Sequence, residues 1–138
     1  MQPGDEVERI GALRQCVLIM RRGGVPSSLI ERLVQFHRGR PRRWVALPGD
    51  KAEKAFAGLL NGERLVAWLP TIEPPSGVEE LDSGQDGFSF YFLSGNRDLA
   101  EFMRNTVAGS DVSGSVVNGL AFGYPVDRVF GWVLKKVR

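Results

Sequence analysis

The sequence predicts an α/β or α+β fold, on three observations. It should be one domain with a small mixed sheet of about four strands, flanking helices and a C-terminal helical hairpin. First, apolar runs of strand length at residues 16–20, 44–47, 65–69 and 88–93 alternate with stretches whose apolar residues recur at three and four positions. Second, the order strand, helix, strand, helix, strand up to Pro70 is that of crossover connections and a partly parallel sheet. Third, beyond residue 93 the periodicity is helical throughout and is broken at Phe122-Gly123-Tyr124-Pro125. At 138 residues the chain suits a single domain, 1–138, with the sheet in 1–93 and helices in 94–138.

Val7, Ile10, Leu13 and Val17 fall at helical spacing, which predicts a helix over residues 5–15, and the apolar run 16–20 follows it as a strand. Arg21-Arg22-Gly23-Gly24-Val25 is a loop. Pro26-Ser27-Ser28 opens a helix on which Leu29, Ile30, Leu33, Val34 and His37 share one face. That position makes His37 a packing residue at a helix end rather than a catalytic base. Trp44 to Leu47 is the second strand, and Pro48-Gly49-Asp50 is the turn that caps a helix carrying Ala52, Ala55, Phe56, Leu59 and Leu60. Asn61-Gly62 ends this helix.

Residues 65–69 form the third strand, closed by Pro70, and 71–87 form a long polar loop. Phe88, Phe90 and Phe92 then alternate with Ser89, Tyr91 and Leu93, the signature of a strand with two distinct faces. Ser94-Gly95-Asn96 is a turn and cap, followed by a helical stripe of Leu99, Phe102, Met103, Thr106 and Val107. Residues 109–136 supply a helix of small and β-branched residues, a corner in which Gly123 takes the left-handed conformation and Pro125 opens the next turn, and a second helix with a basic tail. On that last helix Val126, Val129, Phe130, Val133, Leu134 and Val137 make an apolar face. Arg128, Trp132, Lys135 and Lys136 fall together on the opposite one.

The formal net charge of +2 conceals an asymmetry: His37-Arg38-Gly39-Arg40-Pro41-Arg42-Arg43 is strongly basic, whereas residues 73–86 hold acids and no lysine or arginine. No apolar run is long enough for a membrane span, and the start of the chain lacks the layout of a signal peptide, so a cytoplasmic protein is expected. The single cysteine, Cys16, lies in an apolar run and reads as a buried structural thiol. One cysteine and one histidine are too few for a zinc site. Asp82-Ser83-Gly84-Gln85-Asp86-Gly87 lacks the ligands of a calcium loop at its third and closing positions. No nucleophile elbow is present, and no metal, cofactor or catalytic set is implied.

The C-terminal corner, residues 119–132, resembles a DNA-binding helix-turn-helix of the LGYP type found in transposase and phage regulatory domains. In that resemblance Gly119 is the small residue of the first helix, Phe122 the apolar residue before the turn and Gly123 the turn glycine, with Val129 and Trp132 pointing inward. Asn118 departs from the pattern, and Asp127, Phe130 and Gly131 stand where a reading helix presents arginine, glutamine or serine to base edges.

The expected function is that of a small non-enzymatic binding protein, a regulator or inhibitor. It would apply Arg38, Arg40, Arg42 and Arg43, together with Arg128, Trp132, Lys135 and Lys136, to nucleic acid or to an acidic protein surface. A homo-oligomer is compatible with this. The alternative is a small enzyme or ligand sensor that holds a nucleotide-like anion at strand-end loops, using Arg21, Arg22, Gly23, Gly24, Ser27, Asn96 and Arg97.

Overall fold

The computed structural model describes residues 3–38, 52–106 and 112–136. In chain order these form α1 (Pro3–Arg22), α2 (Ser27–Arg38), α3 (Ala52–Leu60), β1 (Val66–Pro70), β2 (Glu79–Asp82), β3 (Phe88–Phe92), a 3-10 turn (Ser94–Asn96), α4 (Arg97–Asn105), α5 (Val112–Ala121) and α6 (Val126–Lys136). The class is α+β, and the chain divides into two compact units. One holds α1, α2, α5 up to Leu120, and α6. The other holds α3, the sheet, α4 and the segment Ala121–Gly123.

In the helical unit α1 packs along α6 and against α2. Ala12, Cys16 and Met20, four residues apart, are buried on one stripe of α1. On α2 Leu29, Ile30, Leu33 and His37 are buried, as the apolar row in the sequence predicts. The turn between α1 and α2 is closed by backbone bonds from Gly23 N–H to Ile19 O (3.0 Å) and Val25 N–H to Met20 O (3.0 Å), with Gly24 at φ +80°. Gly23 allows a close approach: a Cβ there would run into the Ser113 side chain on α5. Val116, Val117 and Leu120 of α5 are buried, and Gly119 makes room for Val129 of α6, whose Cγ2 would lie 2.9 Å from an added Cβ.

In the second unit the strand order is β1-β3-β2, antiparallel throughout. The register sets Ala67 opposite Tyr91 and Leu69 opposite Ser89, so these share one face. Val66, Trp68, Pro70, Phe88, Phe90 and Phe92 share the other. Ala55, Phe56 and Leu59 of α3 cover the first face in one buried cluster with Ala67, Leu69, Val78 and Tyr91. Arg97, at the start of α4, lies over the Phe92 ring at 5.5 Å on the opposite face. Tyr91 anchors the chain that leaves β1: its hydroxyl accepts from Ile72 N–H at 2.7 Å and donates to Ile72 O at 2.6 Å, with Glu80 Oε2 at 3.1 Å.

Several expectations are corrected. Residues 16–20 are helical rather than a strand, because the run continues α1. A short apolar run is locally ambiguous, and burial of every fourth residue decides for the helix. The helix expected over 5–15 therefore extends to Arg22. Among the described residues the sheet has three strands rather than about four, and it is antiparallel rather than mixed. The 71–87 loop contains a strand, Glu79–Asp82, hidden in the sequence because its acids have low strand propensity and are tolerated only at an edge. Asn96 forms no side-chain cap on α4. The strand expected at 44–47, the turn at 48–50 and the end of the α4 stripe at Val107 lie outside the described residues.

Two outcomes follow from this packing. Gly23→Ala should destabilise the protein by about 1–3 kcal/mol, as overpacking of a tight contact does, measured by urea denaturation. Burial pushes the Cys16 thiol from 9.0 up to about 12, so the folded state holds its proton where the unfolded state has released it. Stability present below pH 9 is therefore lost as pH rises toward 12, and the wild type should show a steeper alkaline loss than Cys16→Ala.

Candidate functional site

The outer side of the α1–α2 hairpin is the feature with the most exposed chemistry in the helical unit. On α1 Ile10, Leu13, Val17 and Leu18 follow one another at helical spacing away from the buried stripe, and Ile10 and Leu18 are 43% and 42% exposed. Across from them α2 presents Ile30 and Val34, and the two rows line an open groove of about 1060 Å³. Among the described residues four arginines, Arg9, Arg14, Arg21 and Arg38, line it with one acid, Glu31. From Arg9 to Arg21 the groove follows roughly 18 Å of helix at 1.5 Å per residue.

Arg9 also has a structural task. Its guanidinium donates to His37 O at 2.9 Å and Arg38 O at 3.3 Å, which satisfies carbonyls in the last turn of α2 and places a cation at the negative end of that helix. His37 is buried. Its Nε2 donates to Leu120 O at 2.8 Å, and Phe36 meets its ring edge-on at 4.8 Å. The only histidine is thus committed to packing, and the only cysteine is held protonated well above neutral pH.

Of the residues expected to meet a partner, Arg38 lies on this rim, while Arg40, Arg42 and Arg43 lie outside the described residues. Arg9 and Arg14 are additions that sequence reading missed. Ile10, Arg14, Val17 and Arg21 recur at four, three and four positions along one helical face, a signal obscured once residues 16–20 are read as a strand.

A second surface lies on α6. Val126, Val129 and Val133 are buried, and Arg128, Trp132 and Lys135 are exposed, the indole at 39%. Trp132 rests edge-on against Tyr124 at 4.8 Å, so it does not point inward as the helix-turn-helix resemblance implies. Leu134, expected on the apolar face, is also exposed. Phe130 is half-buried, and Lys136 ends the helix. The corner itself has a left-handed Gly123 (φ +90°) and a bond from Tyr124 N–H to Gly119 O at 3.1 Å.

The residues of the alternative ligand site are not brought to one sheet edge. Arg21, Arg22, Gly23, Gly24 and Ser27 join two helices rather than following a strand, and the antiparallel sheet removes the common edge that parallel strand ends would share. Gly23 and Gly24 serve the turn. Asn96 and Arg97 belong to the sheet-bearing unit, where Arg97 pairs with Glu79 at 2.8 Å and with Glu101 at 3.8 Å. Asp82, in the run compared with a calcium loop, accepts from Gly84 N–H at 2.9 Å and shapes the β2–β3 turn.

Among the described residues no helix is long and apolar enough to cross a membrane, and no cluster of His, Cys, Asp and Glu is arranged to hold a metal ion. The chain matches no protein-family model, no curated protein and no solved structure.

Trp132→Ala should cost about 1 kcal/mol or less in a denaturant titration, since a half-exposed indole loses little burial, against the 3–5 kcal/mol typical of a core aromatic.

Proposed function

We propose that this chain is a non-enzymatic binding protein that engages an acidic partner through the arginine-bearing outer side of its α1–α2 hairpin. The observation that carries the reading is the convergence of Arg14, Arg21 and Arg38, all exposed, from two helices onto one surface, where Glu31 is the one carboxylate among the described residues. Guanidinium groups match carboxylates with two parallel hydrogen bonds, and a predominantly basic rim raises association rates with an acidic partner. An acidic protein suits this surface better than nucleic acid does. The arginines border apolar side chains, which phosphates cannot use, and Asp127 in the first turn of α6 would oppose a duplex there. The non-enzymatic part of the reading is supported by the structural commitments of His37 and Cys16.

Fluorescence anisotropy with a labelled polyglutamate peptide and, separately, a labelled DNA duplex tests this. The peptide should bind in low salt and lose affinity as salt rises. The triple variant Arg14→Glu, Arg21→Glu, Arg38→Glu should bind at least about tenfold more weakly while its thermal midpoint stays nearly unchanged. Equal binding by the variant would defeat the proposal, and preferential binding of the duplex would put nucleic acid in the partner's place.

A further inference from the structure

The groove behind those arginines has a form that charge alone does not explain. A surface meant only for carboxylates has no use for apolar side chains at its centre, yet Ile10 and Leu18 stand substantially exposed and Leu13, Val17 and Val34 are only half-buried. The remaining wall, Ile30, is buried and forms the floor. On α1 the aliphatic side chains alternate with arginines along one face, Ile10, Arg14, Val17 and Arg21, and Ile30, Val34 and Arg38 of α2 line the same groove.

We infer that the groove takes one amphipathic helix of an acidic protein partner, a reading that rests on the function proposed above and specifies its partner. Three features select this occupant. The groove runs for roughly 18 Å, the length of about twelve helical residues, and Ile10 and Val17 are seven positions apart, so apolar anchors at i and i+7 of a second helix meet them in register. Arginines set directly beside aliphatic side chains call for acids set beside apolar residues, which an acidic amphipathic helix supplies where its two faces meet. The groove's concavity does not fit the flat surface of an anionic bilayer. Glu31, the one acid on the rim among the described residues, adds direction: a basic residue of the partner helix belongs on its side.

The test uses the whole protein and a displayed library of helical peptides, with glutamate fixed on the flanking positions and aliphatic or aromatic residues varied at i, i+3, i+4 and i+7. Selected peptides are compared with polyglutamate of equal charge and with sequence-scrambled controls. Selected peptides should bind at least about tenfold tighter than either, and the double variant Ile10→Ser, Leu18→Ser should lose that advantage while retaining polyglutamate binding. Both side chains are exposed, so the variant should fold, which circular dichroism verifies; single Leu18→Ser serves if the double variant is unstable. Selected peptides no tighter than polyglutamate, or indifferent to the double variant, would overturn the helix inference and leave the arginine-based function standing. Failure of every acidic peptide to bind would overturn both. Co-sedimentation with phosphatidylserine vesicles that the peptides do not compete away, or a concentration-dependent dimer abolished by the double variant, would give the groove to a lipid surface or to a second copy of this chain, and overturns the inference.

Discussion

The requirement to cover α1 shapes the helical unit. Its buried stripe, Ala12, Cys16 and Met20, cannot face water without forfeiting a few kcal/mol of apolar burial, and α6 runs alongside it. Close packing then dictates where side chains must be absent. Gly23 yields to Ser113 and Gly119 yields to Val129, so two glycines mark places where neighbouring helices approach too closely for a methyl group. His37 completes the unit by exchanging a hydrogen bond with water for one with Leu120 O, which lets a polar ring sit inside without an unsatisfied N–H.

Once that stripe is buried, α1 still has apolar residues left over. Ile10, Leu13, Val17 and Leu18 are turned away from it, and α2 covers them only along one side. A helix with apolar residues on more than one face ordinarily ends in a core; here part of the second face stays accessible. The arginines set among these side chains keep their charged heads in water beside the aliphatic surface. Arg9 connects the two roles, since the guanidinium that contributes to the basic border also satisfies carbonyls in the last turn of α2.

The sheet-bearing unit obeys a different constraint. β3 is central and its residues are almost wholly buried, whereas β2 is acidic and stands at an edge. Tyr91 reconciles the two by burying its ring against Phe56 at 5.1 Å and directing its hydroxyl to Ile72 and Glu80, with burial pushing the phenol above its ordinary pKa. Arg97 meets the other side of β2 through Glu79, an exposed pair that contributes about 1 kcal/mol or less to stability.

Local sequence was enough for elements whose pattern is long and whose ends are marked. The apolar rows of α2, α3 (apart from Leu60, which is exposed) and α4, the Gly62 stop, the alternation of Phe88, Phe90 and Phe92, and the Gly123 corner all belong to this class, because each depends on near neighbours. So does the outward position of Trp132, which follows from helical period alone. Tertiary structure decided the rest. Residues 16–20 satisfy strand length as well as helical period, and only burial of Cys16 and Met20 beside α6 chooses between them. Glu79–Asp82 has no strand signal of its own and pairs because β3 presents an unfilled edge. The groove is decided in the same way: Arg14 and Arg21 share a helical face with Ile10 and Val17 in sequence, but Arg38, Ile30 and Val34 join them only when the chain reverses at Gly24 and brings a second helix alongside.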